Sequence, residues 1–469
     1  PAPFVVVSLC QKMSCNLFLL ALVLGIGGTF HYGLQVSIIN SPAEYIKSFI
    51  HETWLKRYGS SPSEEIITLM WSFIVSIYSI GGLLGSMLAG YFLVRKKAML
   101  LTNIPALLSS ALLGLSRLCG SFEMIIIGRM VSGVTAGMAL NIHVPYAGEC
   151  APQRLRGAIA ITASTAIAIG KFVGFALGLR EALGVDALWP VLMAANALPA
   201  LIQLLTLPFF PDSPRYLLID KKDKEGLKAP SALPQLWGDG DHTAEIDDMM
   251  AEQKAINGEK AKSLCDLFRD RAVRWQLITL FLVSSCMQLI GVNVVYFYAY
   301  NVFITAGIPP AQTRYVSLGV GITEIFTTVL CVSDFSAEPL SIYESFKHSK
   351  FSFFSLSAGV ICPLPTEIFI QSYRPAAYVL TGITNWIQLF FLGLVFPFIV
   401  EGLGSFCFII FFAYCLSMAV FVYLVMPETK GKTMLQIMED FNRLNYRGKR
   451  RPSALRQNDK ENEFSPGTH

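Results

Sequence analysis

The stretch PYAGECAPQRLRGAI (Pro145–Ile159) sets Glu149, Arg154 and Arg156 between two long apolar runs, in a chain of which only 15% is charged. A second stretch, PLPTEIFIQSYRPAAY (Pro363–Tyr378), repeats the pattern. Glu367 and Arg374 have the spacing of Glu149 and Arg156, and each of these arginines is followed by Gly or Pro and then Ala. The two acids lie 218 positions apart, and PDSPR at Pro211 and PETKGK at Pro427 lie 216 apart. Two nearly equal offsets indicate one duplicated unit.

Composition sets the environment of that duplication. With 469 residues, 53% hydrophobic, 33 of them Phe, and a mean hydropathy of +0.51, the chain is too apolar for a soluble globule. It reads as an all-α polytopic membrane protein. The net charge of +4 is small, and the basic residues cluster between apolar runs, which fits membrane orientation and not nucleic-acid binding. Ten cysteines without a CxxC pair, among them Cys15, Cys286, Cys331, Cys407 and Cys415 in or beside apolar runs, are expected as small core residues with no metal. No nucleophile constellation or phosphate loop points to an enzyme or to a cofactor.

A helix crosses the hydrocarbon in about 20 residues. Runs of that order occupy 16–39, 66–92, 98–116, 122–146, 157–180 and 187–209, then 274–300, 314–332, 376–401 and 404–426, with a short run at 351–364. The first is too long for a cleaved leader and is expected to stay as a span. Basic residues collect after the second run (Arg95, Lys96, Lys97), after the fourth (Arg154, Arg156) and in the tail (Arg447, Lys449, Arg450, Arg451). All are cytoplasmic if both termini are. The expected division is a first bundle over 1–210, a cytoplasmic linker over 211–273 with short helices near 244–262, a second bundle over 274–426 and a tail over 427–469. The 14 residues of 351–364 are too few to cross, so about ten full spans and one short piece are expected.

Duplicated membrane bundles suit a transporter whose halves rock about a central site. Carboxylates and guanidiniums at the cytoplasmic helix ends can pair across the halves, so Glu149, Arg154, Arg156, Glu367 and Arg374 are candidate inner-gate residues. The alternative is that the arginines only obey the positive-inside bias, which leaves the matched acids unexplained.

GECAPQRLRGA, PDSPRYLL, QLIGVNVVYFY, TEIFIQSYRPAAY and PETKGKT resemble the signature segments of the sugar porters of the major facilitator superfamily, in particular the animal facilitative hexose transporters. GIGGTFHYG, SIINSP and ETWLKRYG resemble the class II branch, which carries fructose and glucose. The resemblance implies two six-helix bundles, a hexose as substrate, lipid as surroundings and the plasma membrane as location. It also implies sugar contacts at Gln288 and Asn293 of span seven and at Asn385 and Trp386 of span eleven. Amides both donate and accept, as a neutral polyol requires, and an aromatic face suits its C–H surface. For Gln288 and Asn293 the alternative is hydrogen bonding between helices. Proton-coupled relatives carry an acid in the first span. This chain has His31 there, expected as a helix-contact or gate residue of a uniporter.

The chain also departs from the family. Phe175 stands for a span-five Gln, Met287 for the first of two glutamines, and Glu324 for a span-eight Asn; no Asn-x-Ser/Thr acceptor occurs. Ile66 to Glu149 spans 83 positions, whereas Arg314 to Glu367 spans 53. Span nine and half of span ten are therefore expected to be missing, which makes the second bundle incomplete and a non-transporting isoform the rival reading. Finally, Lys171 and Glu324 fall at similar depths in spans five and eight, which the resemblance implies face each other, and are expected to form an intramembrane ion pair. The alternative is that Lys171 snorkels outward and Glu324 is protonated.

Overall fold

The computed structural model describes residues 14–89, 95–152, 156–214, 217, 228–238, 246, 264–289, 292–305, 307–309, 312–337, 368–369, 373–427 and 434–445. Among these the regular secondary structure is helical. The first half holds α1 (Cys15–Gly27), α2 (Thr29–Ser37), α3 (Ala43–Tyr58), α4 (Glu64–Ala89), α5 (Arg95–Leu101), α6 (Asn103–Leu115), α7 (Phe122–Cys150), α8 (Arg156–Leu177), α9 (Trp189–Ala194) and α10 (Ala197–Thr206). The linker contributes α11 (Lys228–Trp237) and α12 (Leu264–Arg269). The second half holds α13 (Arg274–Leu289), α14 (Val292–Thr305), α15 (Thr313–Ala337), α16 (Arg374–Leu403) and α17 (Cys407–Val425), and the tail begins with α18 (Met434–Asn445).

Six helical segments among the described residues are long and apolar enough to cross a membrane: Cys15–Ser37, Glu64–Ala89, Lys96–Leu115, Phe122–Cys150, Trp189–Phe209 and Ala376–Val400. The runs expected at 157–180, 274–300, 314–332 and 404–426 are helical as α8, α13 with α14, α15 and α17. The short run at 351–364 and the linker stretch near 244–262 lie outside the described residues, apart from the helical Ile246.

Three spans expected to be continuous are broken. The third parts between α5 and α6 and the sixth between α9 and α10. Pro105 and Pro199 follow these breaks and lack the N–H that Leu101 and Ala195 would each receive four residues earlier. The first parts at Gly28, where a Cβ would collide with the Leu24 carbonyl and the Met99 side chain. Cys15, expected in the core, is exposed, whereas Cys407 is buried. Phe18, Leu22, Met87, Leu108, Phe391 and Phe412 are likewise exposed, an outward apolar coat suited to lipid.

Lipid is as apolar as a leucine core, so spans associate by close packing and hydrogen bonds. Glycines supply that closeness. Between α4 and α7, a Cβ at Gly81 would strike the Met130 carbonyl, at Gly85 the Val134 carbonyl, and at Gly133 the Tyr78 carbonyl. Gly33 of α2 and Gly170 of α8 stand equally close to the Ile167 and Phe30 carbonyls. The first half is thus held backbone to backbone.

The halves meet along α4 with α16, α8 with α15 and α2 with α14. Their apolar interior forks. One cluster unites both halves, joining Leu34, Ile38, Tyr78 and Phe175 to Tyr296, Trp386 and Phe396. At the end carrying the linker and tail it gives way to two. One serves the first half, with Leu20, Met99, Ile142 and Leu236, and one the second, with Leu267, Val283, Phe369, Ala377 and Phe441. The linker follows the same split: Trp237 of α11 donates to the Cys150 carbonyl at 2.8 Å, whereas Leu267 of α12 packs into the second half.

Gly133→Val should lower the yield of folded protein by more than the roughly 1–3 kcal/mol of ordinary overpacking, because a backbone must move. Gly148→Val, where a Cβ meets nothing within 4 Å, is the control. Equal monodisperse yields of the two variants in detergent would refute the close-packing account.

Candidate functional site

The amides expected to meet substrate lie on three helices of the second half, turned toward one another. Gln288 closes α13 and Asn293 opens α14, and they are 1% and 7% exposed. Asn293 Nδ2 donates to Gln288 Oε1 at 2.6 Å, and Gln288 Nε2 donates to Asn385 Oδ1 on α16. The three form a row in which each amide has unused capacity for a hydroxyl. Trp386 points the other way, toward the first half. Its Nε1 donates to Ser86 Oγ at 2.8 Å, and its ring meets Tyr32 and Tyr78 edge-on at 5.9 and 6.0 Å. It lies against Gly82, where any Cβ would enter the indole. The structure therefore brings Gln288, Asn293 and Asn385 into contact and sets Trp386 in the seam between the halves.

One helical turn beyond Asn293 stands a charged layer. Lys171 Nζ donates to Glu324 Oε1 at 2.8 Å, with the side chains 7% and 15% exposed. Tyr296 donates its hydroxyl to Glu324 Oε2, and Lys171 Nζ lies 3.9 Å from the Tyr296 ring centroid. Phe175, in the place of the family's span-five Gln, stacks on Tyr296 at 6.0 Å. Both carboxylate oxygens of Glu324 are therefore engaged, one from each half.

Further out the halves are tied by groups that the sequence did not single out. Asn40 accepts from the Ala299 N–H at 3.0 Å and donates to the Tyr296 carbonyl, spanning the non-helical turn of α14 at Tyr298. Arg314 donates to the Gly184 carbonyl at 2.6 Å, and Tyr315 donates to Glu181 at 2.7 Å. That bond is the main reason the Glu181 carboxyl lies below its usual range. A cavity of about 20 Å3, lined by Asn40, Ser41, Phe175, Thr313, Arg314 and Ser317, has the room of one water. SIINSP carries Asn40, but its partners depend on a bend in another span.

His31 is buried, and its Nδ1 meets Asn196 Oδ1 of the sixth span at 2.5 Å, a contact between helices. At the linker end, Glu149 is the penultimate residue of α7, and Arg156 and Arg374 begin α8 and α16. The repeat of the sequence is thus a repeat of helix starts. Arg154 and Glu367 lie outside the described residues, as do the side chains of Arg156 and Arg374.

A family model described as "Sugar (and other) transporter" matches residues 20–337 and 349–441. Human solute carrier family 2, facilitated glucose transporter member 11, is 40% identical over 458 residues, covering 90% of this chain and 92% of its own length. Member 9 from human is 36% identical over 471 residues, covering 93% and 87%, and member 5 from Bos taurus is 36% identical over 493, covering 97% of both. Among solved structures, the inward-open xylose transporter XylE of E. coli aligns with a TM-score of 0.69 at 21% identity, covering 91% of this chain and 99% of its own. Its partially occluded inward-open form aligns at 0.68, with 21% identity and coverage of 90% and 100%. The family match, the curated relatives and the shared fold point the same way: this chain is an integral membrane protein and belongs to the sugar transporter family.

Proposed function

We propose that this chain is a facilitative hexose carrier of the fructose- and glucose-carrying kind, working as a uniporter by alternating access. It lies in the plasma membrane with both termini in the cytoplasm. The bundles are 1–210 and 274–426, joined by a cytoplasmic linker over 211–273 and followed by a tail over 427–469. The observation that carries the reading is the row Asn293–Gln288–Asn385, with Trp386 in the seam between halves. Hexose hydroxyls replace the bonds that these amides make with one another, and the indole faces the sugar's C–H surface. The forked interior, joined at the outer end and divided at the linker end, supports an inward-facing state. Arg154, Arg156 and Arg374 close the opposite mouth against Glu149 and Glu367 in the alternate state.

Lys171 and Glu324 tie the halves together and replace a sugar contact of the family, which lowers affinity. The absence of a carboxylate from the described first span supports uniport. A second reading, a non-transporting isoform, is favoured by one observation: the family match is interrupted at 338–348, inside the stretch where about 30 residues fewer separate Arg314 from Glu367 than separate their counterparts.

Uptake of labelled fructose and glucose into liposomes should be saturable and should fall about five- to tenfold in Gln288→Ala, the loss expected for one buried hydrogen bond at about 1–1.5 kcal/mol. Uptake that appears only after a 30-residue segment from an intact relative is inserted would establish the second reading. No uptake even then would reject the carrier. For the inner gate, Arg156→Ala and Arg374→Ala should each raise cysteine labelling from the cytoplasmic side, and a tag after His469 should be reached by antibody only in permeabilised cells. Unchanged labelling in both variants would leave only the positive-inside role. For the ion pair, Lys171→Met and Glu324→Gln should each lower stability by about 3–5 kcal/mol, the cost of orphaning a buried charge, with the double mutant more stable than either. Strictly additive losses in detergent melts would reject the pairing.

A further inference from the structure

Among the described residues, the first bundle holds a full positive charge for which it supplies no negative one. Arg129, two turns into α7, is 0% exposed, and a guanidinium keeps its proton in any protein environment. Its Nη1 donates to the backbone carbonyl and to Oε1 of Gln35, at 3.0 and 3.1 Å, and its Cζ lies 4.6 Å from the centroid of the Tyr78 ring. Its Nε and Nη2 have no partner among the described residues, and neither have Gln35 Nε2 and the Tyr78 hydroxyl. Gln35 and Tyr78 are themselves 1% and 0% exposed. The acids of the helices that bear these residues stand at helix ends: Glu64 and Glu65 on α4, Glu123 and Glu149 on α7, and none on α2. Glu123, the nearest of them along α7, is held by Arg57 at 2.5 Å.

The chemistry of the unpartnered groups identifies what they await. Arg129 Nε and Nη2 and Gln35 Nε2 can only donate, and the Tyr78 hydroxyl can turn to donate with them. A sugar hydroxyl or a water could accept from some of them but would leave the charge unbalanced, and a buried charge without a partner is strongly unfavourable. An anion satisfies both demands at once. The single charge calls for a monovalent species, and the burial of all three side chains calls for a small one. We propose that Arg129, Gln35 and Tyr78 form a receptor for one small monovalent anion, chloride or a carboxylate, inside the first bundle. The site lies one layer behind the substrate seam, since Tyr78 also packs on Trp386 with centroids 6.0 Å apart. It is independent of the hexose reading, because none of its groups belongs to the amide row.

The test is thermal unfolding of the purified full-length chain in detergent at constant ionic strength, with the salt of a bulky sulfonate exchanged stepwise for sodium chloride or sodium formate. A ligand that binds the native state raises Tm saturably, and chloride should do so here. Arg129→Gln should abolish the response, but that variant can also fail to fold. Gln35→Glu provides the second arm: it sets a carboxylate beside Arg129, fills the role of the anion from within, and should give a folded protein whose Tm no longer depends on chloride. A saturable response to formate but not to chloride, again lost in Gln35→Glu, assigns the same receptor to carboxylates. An unchanged wild-type Tm, equal non-saturating responses to every salt, or a chloride response that persists in Gln35→Glu would each overturn the proposal.

Discussion

In lipid the hydrophobic effect does not choose which helices touch, so the architecture rests on where backbones can come within van der Waals distance. Here that is decided by glycines. Gly81, Gly85, Gly133 and Gly137 place α4 and α7 carbonyl against Cα, and Gly33 with Gly170 does the same for α2 and α8. Four spans of the first half are thus locked as two pairs, which pack on each other through α2 against α7 and fix the depths of the side chains they carry. The depth of Lys171 matters because Gly170 anchors its helix to α2, and the depth of Trp386 matters because Gly82 leaves it room.

The seam between halves is built differently. It is polar at the end away from the linker and tail, with Asn40, Arg314, Tyr315, Lys171 and Glu324 all reaching across, and aromatic at the level of Trp386. Hydrogen bonds and ion pairs are discrete; they are made or broken whole. Packed glycine contacts are not exchangeable in this way. The division of labour places stiffness inside a half and exchangeable contacts between halves, which is the arrangement a rocking mechanism needs.

How much of this was legible in the sequence depended on whether a signal was local. The duplication showed because charges are rare in an apolar chain, so Glu149 with Arg156 and Glu367 with Arg374 stood out, and both arginines prove to start helices. The depths of Lys171 and Glu324 followed from counting residues along two spans, and the facing of those spans from the resemblance to the family. The breaks at Pro105 and Pro199 were written in the sequence and went unread, because apolar length was taken as continuity. The roles of Asn40 and Arg129 were not legible. The first depends on a bend in α14, and the second on the absence of an acid from neighbours that are adjacent only after folding.

Asn40 carries one more consequence. The Ala299 N–H and the Tyr296 carbonyl are backbone groups of α14 whose hydrogen bonds are completed by a side chain of the other half. Buried amides do not stay unpaired, so under the proposed alternating access these two groups must rejoin their own helix or take up water whenever the halves part at this end. Parting there would then be coupled to a local helix–coil event in α14. Such an event, set by peptide geometry and not by the cargo, places its own ceiling on how often the halves can exchange.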